Sequence, residues 1–137
     1  ASTAYLEVGG VGYAVGMSQT ALSKLPEVGS PVEVHTYLQV REDGLSLYGF
    51  LSLEEKALFE RLIGVSGVGP KVALAALSSF TPAALVAAVA AQDVVAVQRV
   101  PGVGKKTASR IILEGAPEGG DEGVLLQYAL KRLGANS

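Results

Sequence analysis

Cysteine and tryptophan are absent from this 137-residue sequence, and histidine occurs once, at His35. Without cysteine there is no disulfide framework and no thiolate metal site, and one histidine without a partner does not make a zinc site. Long apolar stretches are also missing, because Gly, Ser or charged residues interrupt every run before the roughly 20 residues that cross a bilayer. We therefore predict a cytoplasmic protein with no membrane partner and no metal.

Charge is distributed unevenly along the chain. Residues 1–55 carry two basic and seven acidic side chains, residues 56–114 carry seven basic and three acidic ones, and residues 115–137 carry two basic and three acidic ones. The net charge of −2 therefore conceals a basic middle segment between acidic flanks. This middle segment is the part of the chain suited to a polyanion such as nucleic acid.

The first fifty residues alternate like β-strands. In PVEVHTYLQV the even-numbered residues from Val32 to Val40 fall on one face, which is typical of a half-buried strand. AYLEVGGVGYAVGM holds a Gly-Gly turn between two short β-like runs, and REDGLSLYGF holds an Asp-Gly turn before another run. These patterns predict a small β-barrel or sandwich over residues 1–50. The number of predicted strands is low for a closed barrel, which fits a missing first strand and a trimmed start.

The period changes to that of helices after Phe50. Ser52 followed by Glu55 forms a capping box, which predicts a helix from about Leu53 to Ile63. Further start signals predict helices from Pro70 to about Ser78, from Pro82 to near Ala91, from Asp93 through Arg99, and from Lys105 to Glu114. Residues 51–114 then form an all-α domain. Residues 115–137 are expected to hold a linker and one helix, from about Gly123 to Leu133, of an incomplete C-terminal domain.

An internal repeat links two of these helices. Residues 65–77 (VSGVGPKVALAAL) and residues 100–112 (VPGVGKKTASRII) share six identities in thirteen positions without a gap. Each copy places a Gly-Val-Gly turn before a helix. Two unrelated turns of similar composition stay open as an alternative, because richness in Ala and Val raises the number of chance identities.

The glycine turns do not fit the nucleotide-binding loops. Gly104-Lys105 lacks both the Ser or Thr that should follow and the earlier Gly of a P-loop. Gly64 and Gly69 have the P-loop separation, but Pro70 stands in the lysine position. The dinucleotide pattern fails at both turns, so we expect no ATP hydrolysis and no cofactor bound by this chain.

A glycine turn that leads into a helix is suited to a phosphate oxygen. The first N–H groups of the helix lack intrahelical partners, and glycine lets an anion approach them closely. The valine between the glycines would point into the helical core, while Lys71, Lys105 and Lys106 would supply mobile positive charge. Two such turns would hold phosphates on neighbouring strands of one duplex, which predicts low sequence specificity and strong salt dependence.

These residues resemble a known family. LIGVSGVGPKVALAAL and VPGVGKKTASRIILE are similar to the helix-hairpin-helix motif, and with LEVGGVGYAV, VREDG and LYGF they resemble the bacterial RuvA family over roughly residues 4–114. The resemblance implies an α+β multidomain fold, with an OB-fold β-barrel over residues 1–50 and a tandem helix-hairpin-helix domain over residues 51–114. It also implies binding of Holliday junctions for branch migration in DNA recombination and repair.

The resemblance further implies partners. Members of this family are expected to form a homotetramer, with pairing into an octamer left open. They are expected to hold the junction for a RuvB-type ATPase motor, which uses ATP and Mg²⁺, and a RuvC-type resolvase is a further expected partner. The chain itself would be a non-motor subunit of a helicase complex, with no catalytic residue.

The predicted DNA-binding residues belong to the two turns and to the helices that follow them: Gly67, Val68, Gly69, Lys71, Gly102, Val103, Gly104, Lys105, Lys106 and Arg110. For Arg110, contact with a phosphate and simple solvation are equal alternatives. By resemblance, Glu42 and Asp43 form an acidic pin at the junction crossover, where four copies would repel phosphates and guide the separated strands. The alternative is a solvated hairpin turn.

Two other functions stay open. A generic duplex-binding helix-hairpin-helix module would bind linear DNA and junctions equally well. A DNA glycosylase-lyase is a remote third interpretation, because PGVGKKTA resembles the hairpin of those enzymes, in which a lysine at the place of Lys106 attacks the sugar. The aspartate expected in such an enzyme is replaced here by Val124, and there is no cysteine cluster.

Overall fold

The computed structural model describes residues 3–115 of the chain. Within this range lie four strands, β1 (Thr3–Val8), β2 (Val11–Gly16), β3 (His35–Arg41) and β4 (Gly44–Phe50), and six helices, α1 (Gln19–Ser23), α2 (Leu53–Ile63), α3 (Pro70–Ser79), α4 (Pro82–Ala90), α5 (Val94–Val97) and α6 (Lys105–Gly115). The predicted α+β organisation is confirmed. The helix predicted from Gly123 to Leu133 lies outside the described residues.

The four strands form one sheet in the order β1-β2-β4-β3. β1 and β2 form a hairpin across Gly9 and Gly10, whose φ angles of +59° and +86° suit a tight turn that glycine adopts readily. β3 and β4 form a second antiparallel hairpin, with Arg41 opposite Gly44, and β2 runs parallel to β4. Among residues 3–115 the sheet stays open, with β1 and β3 at its two edges, in line with the low strand count.

β3 alternates as predicted, its odd-numbered side being the half-buried one, and the strand begins later than predicted. The side that holds Tyr37 is half-buried, whereas Leu38 and Val40 on the opposite side are 52% and 69% exposed. Phe59 of α2 explains this, because its ring packs against Tyr37 and Tyr48 with centroid distances of 5.6 and 5.3 Å. The aromatic side of the sheet therefore meets the helices, and the aliphatic side lies away from α2.

The helices begin where the sequence signals predict. The side chains of Ser52, Thr81 and Asp93 accept hydrogen bonds of 3.1–3.2 Å from N–H groups three residues further on. Pro70 and Pro82 occupy early helical positions, where no intrahelical N–H is needed. α5 is shorter than predicted. No single helix among residues 3–115 is long and apolar enough to span a membrane, and α3 and α4 reach that threshold only when counted together across a 99° bend.

α1 is not among the predicted helices, and its contacts join the sheet to the helical part. Ser18 is 4% exposed and caps α1, since its Oγ accepts from the N–H of Ala21 at 3.0 Å. The N–H of Gln19 donates to Oγ of Ser78 on α3 at 2.9 Å. A helix of five residues is marginal alone, so these contacts determine its place.

We predict that Gly49→Ala destabilises the sheet. A methyl group at Gly49 would lie 2.6 Å from Cγ1 of Val15 and 2.7 Å from Cγ1 of Val34, and β-branched side chains have few rotamers with which to move away. We expect the free energy of unfolding, measured in urea, to fall by about 1–3 kcal/mol. Gly12→Ala is the matched control, because a methyl group there meets nothing within 4 Å. Equal stability of the two variants would contradict this packing.

Candidate nucleic-acid interface

Both glycine turns of the repeat adopt the same backbone conformation. The first turn, residues 64–69, joins α2 to α3, and the second turn, residues 101–104, joins α5 to α6. Gly67 and Gly102 have φ angles of +90° and +89°, in the left-handed region that glycine adopts without strain. This agreement shows that the two copies are a structural repeat rather than unrelated turns of similar composition.

The valine inside each turn fixes the turn to the helical core. Val68 and Val103 are 6% and 7% exposed, as predicted, and each donates its N–H to the carbonyl of the preceding valine of the repeat at 3.0 Å. Ala73 and Ala108, at equivalent positions of α3 and α6, are fully buried beside them. The side chains of the two turn valines are therefore not available to a ligand, and their N–H groups already donate within the turn.

Each turn also packs on the helix of the other copy. A methyl group placed on Gly67 would lie 3.7 Å from Oγ1 of Thr107 on α6, and one placed on Gly102 would lie 3.2 Å from Cγ2 of Val72 on α3. Thr107 and Val72 occupy equivalent positions of the repeat. The contacts between the two copies are thus reciprocal: the turn of each copy packs against the helix of the other.

Gly69 and Gly104 leave the starts of α3 and α6 open. A methyl group placed on either glycine would meet nothing within 4 Å. The φ of Gly69 is −98°, which any residue adopts, and Gly104 is not among the residues with positive φ. Neither the packing nor the backbone of residues 3–115 requires glycine at these two positions. Their absent side chains instead keep the helix N-termini accessible, with the positive end of each helix dipole exposed.

The predicted basic side chains surround these helix starts. Lys71, Lys105 and Lys106 are exposed, and Arg110 is half-buried. In the part of the chain that the structure describes, no ion pair or hydrogen bond engages these four side chains. Their positive charge is therefore available to an anion at the helix N-termini.

Glu42 and Asp43 form the tip of the β3–β4 hairpin. Both are exposed, and they fill the two-residue turn between the paired residues Arg41 and Gly44. They belong to the sheet, whereas the glycine turns belong to the helices. The structure thus assigns the predicted acidic pair and the predicted basic residues to different parts of the molecule.

Sequence reasoning missed Val72 and Thr107, which hold the turns against each other. Neither residue type suggests a site, because the contact joins residues from different copies of the repeat. Their equivalent positions, both shortly after a Gly-Val-Gly turn, are the signal that could have found them.

A small β-sheet joined to two glycine-turn helix pairs, with accessible helix N-termini and unpaired basic side chains, is the architecture of the helix-hairpin-helix class. Residues 59–114 match the family model of the SAM-like helix-hairpin-helix tandem, and residues 1–49 match that of the RuvA N terminal domain. The chain belongs to the RuvA family.

Three similar proteins are each named Holliday junction branch migration complex subunit RuvA. The relative from Symbiobacterium thermophilum is 55% identical over 109 residues, which is 80% of this chain and 53% of the relative. The relative from Herpetosiphon aurantiacus is 50% identical over 80% of this chain and 55% of its own length. The relative from Acidobacterium capsulatum is 51% identical over 81% of this chain and 56% of its own length. The chain therefore spans about half the length of the curated relatives it matches.

We predict that the two kinds of glycine differ in their effect on stability. Gly102→Ala should lower the free energy of unfolding by about 1–2 kcal/mol, because alanine is strained at a left-handed φ. Gly69→Ala and Gly104→Ala should lower it less, since the space is open and neither φ is positive, and only the poorer N-cap preference of alanine acts against them. Thermal unfolding of the three variants checks this. A loss for Gly69→Ala as large as that for Gly102→Ala would contradict the assignment.

Proposed function

We propose that this chain binds four-way DNA junctions through backbone phosphates and serves as the junction-binding, non-motor subunit in branch migration. The observation that carries the proposal is the pair Gly69 and Gly104, which neither packing nor backbone conformation requires, at helix starts lined by free lysines. The names of the relatives favour this function over a generic duplex-binding module and over a glycosylase-lyase.

The two helix N-termini suit two phosphates of one duplex arm. Each N-terminus offers unpaired N–H groups and a partial positive charge, and the missing side chain of glycine lets a phosphate oxygen reach them. Lys71 at the first turn and Lys105 and Lys106 at the second add long-range attraction. Because phosphates are the same in every sequence, recognition depends on the spacing of the backbone rather than on bases.

Symmetry supports a homotetramer as the functional form. One chain offers a single pair of turns, whereas a four-way junction has four arms, so four copies around a four-fold axis would engage every arm at once. The motor would be a RuvB-type ATPase that brings its own ATP and Mg²⁺, and the name of the relatives as subunits of a complex supports such a partner. An octamer and a RuvC-type resolvase stay predictions.

The exposed tip of the β3–β4 hairpin would form the acidic pin. In a four-fold assembly, Glu42 and Asp43 of each copy would add to a cluster of negative charge near the axis. Such a cluster repels phosphates at the crossover, so it would keep the strands apart instead of clamping them.

Junction preference tests the proposal directly. Gel-shift titrations over a series of salt concentrations compare a four-way junction with a linear duplex of matching arm sequence. We expect clear preference for the junction and a loss of about tenfold or more in affinity for Gly69→Val and for Gly104→Val, because the added side chain displaces the phosphate from the N–H groups. Gly12→Ala is the control with unchanged affinity. Equal binding to both substrates would leave only a generic duplex-binding module.

The acidic pin is tested at the crossover itself. In the double variant Glu42→Gln/Asp43→Asn, we expect junction affinity equal to or higher than that of the wild type, because a repulsive charge is removed. We also expect 2-aminopurine placed at the crossover to fluoresce less than with the wild type, because bases at the crossover would remain stacked and stacking quenches this base. Affinity for a linear duplex serves as the control and should not change. Unchanged fluorescence would mean that these residues are only a solvated turn.

A further inference from the structure

Arg110 belongs to the second copy of the repeat, yet its side chain lies at the first turn. Nη1 of Arg110 lies 3.5 Å from the position of a methyl group placed on Gly67, beside Oγ1 of Thr107 at 3.7 Å. The residue is half-buried, and within residues 3–115 it has neither an ion pair nor a hydrogen bond. Its guanidinium is therefore available to an anion at the first turn.

The two turns differ in charge and in hydrogen-bond donors. The second copy begins its helix with Lys105-Lys106, whereas the first begins with Pro70-Lys71. Pro70 brings no positive charge and has no backbone N–H. The first turn therefore lacks one cation and one donor that the second turn possesses at the equivalent position.

Arg110 has no counterpart that would make the reverse contact. Its equivalent in the first copy is Ala75, so no arginine of α3 reaches over the second turn. Arginine carries a permanent charge and a planar array of N–H donors that pairs with phosphate through two parallel hydrogen bonds. These are the two properties that Pro70 removes from the first turn.

We propose that Arg110 binds the phosphate at the first turn together with Lys71, so that each turn holds its phosphate with two cations. The inference rests on the proposed function for its ligand, a phosphate of the DNA backbone. α6 then contacts both phosphates of the pair, through its N-terminus at the second turn and through Arg110 at the first. One rigid helix therefore fixes the distance between the two sites.

A double-mutant cycle tests this assignment. Dissociation constants for linear duplex and four-way junction are measured at several salt concentrations for Arg110→Gln, Lys71→Gln and Lys106→Gln, and for each double variant containing Arg110→Gln. We expect Arg110→Gln to weaken binding about three- to tenfold and to lower the slope of log K against log salt by about one per bound chain. Its effect on the binding free energy should be non-additive with that of Lys71→Gln and additive with that of Lys106→Gln. The reason is that energetic coupling is expected only between two side chains that bind the same phosphate.

Matched variants separate binding from general electrostatics and from folding. Arg110→Lys keeps the charge and should recover the salt slope, and thermal unfolding of Arg110→Gln should match the wild type. Arg99→Gln removes the same charge from an exposed position ahead of the second turn, and should act additively with Lys71→Gln. An unchanged affinity of Arg110→Gln, or coupling to Lys106 instead of Lys71, would overturn the assignment of Arg110.

Placement of the phosphate gives a second, independent readout. Single uncharged methylphosphonates are introduced along one arm of the duplex, and positions that weaken the wild type are located. At one such position, the methylphosphonate should weaken Arg110→Gln and Lys71→Gln less than it weakens the wild type, while Lys106→Gln loses as much affinity as the wild type. If the wild type binds without junction preference, the proposed function fails while the cycle on duplex still reports on Arg110. If junction preference is normal and no position shows this shared reduction, only the assignment of Arg110 fails.

Discussion

The mutual packing of the two glycine turns on each other's helices is the interaction on which the site depends. Gly67 lies against Thr107 and Gly102 lies against Val72, so each turn is positioned by the opposite copy of the repeat. The buried turn valines hold the same two copies to the core. The distance between the two helix N-termini is therefore set by close-packed atoms rather than by flexible lysines. Such preorganisation would reduce the ordering cost of binding two phosphates at a fixed spacing, as the proposed function requires.

The two glycines of each turn look the same in the sequence but do different things. The first takes a left-handed φ and touches the other copy, so its requirement is internal to the fold. The second, Gly69 or Gly104, faces open space with a backbone that other residues could adopt, so neither packing nor backbone conformation requires glycine there. An accessible helix start beside unpaired basic side chains is suited to an anion. This distinction is what turns a common turn pattern into a candidate binding site.

Local signals made the helices predictable, whereas contacts between distant segments decided what was missed. Ser52, Thr81 and Pro70 act on the backbone beside them, so the starts of α2, α4 and α3 follow from the sequence alone. The buried side of β3 depends on the ring of Phe59, which comes from another element, and α1 depends on Ser78 of α3. In the site, the repeat predicted both turns and their lysines. It could not predict that Arg110 crosses to the first turn, because its own copy offers no reason for it to do so.

The partition of charge explains how a chain of net charge −2 suits a polyanion. At physiological salt the Debye length is about 8 Å, so exposed charges act mainly on what lies close to them. The helix N-termini are therefore governed by the lysines and the arginine around them, while Glu42 and Asp43 act at the tip of a hairpin in the sheet. Basic side chains at the helices and acidic ones at the hairpin are compatible because the fold keeps them on different elements. Under the proposed function, a duplex arm would meet the basic surface and a crossover the acidic one, so that DNA shape would be recognised without contact with a base.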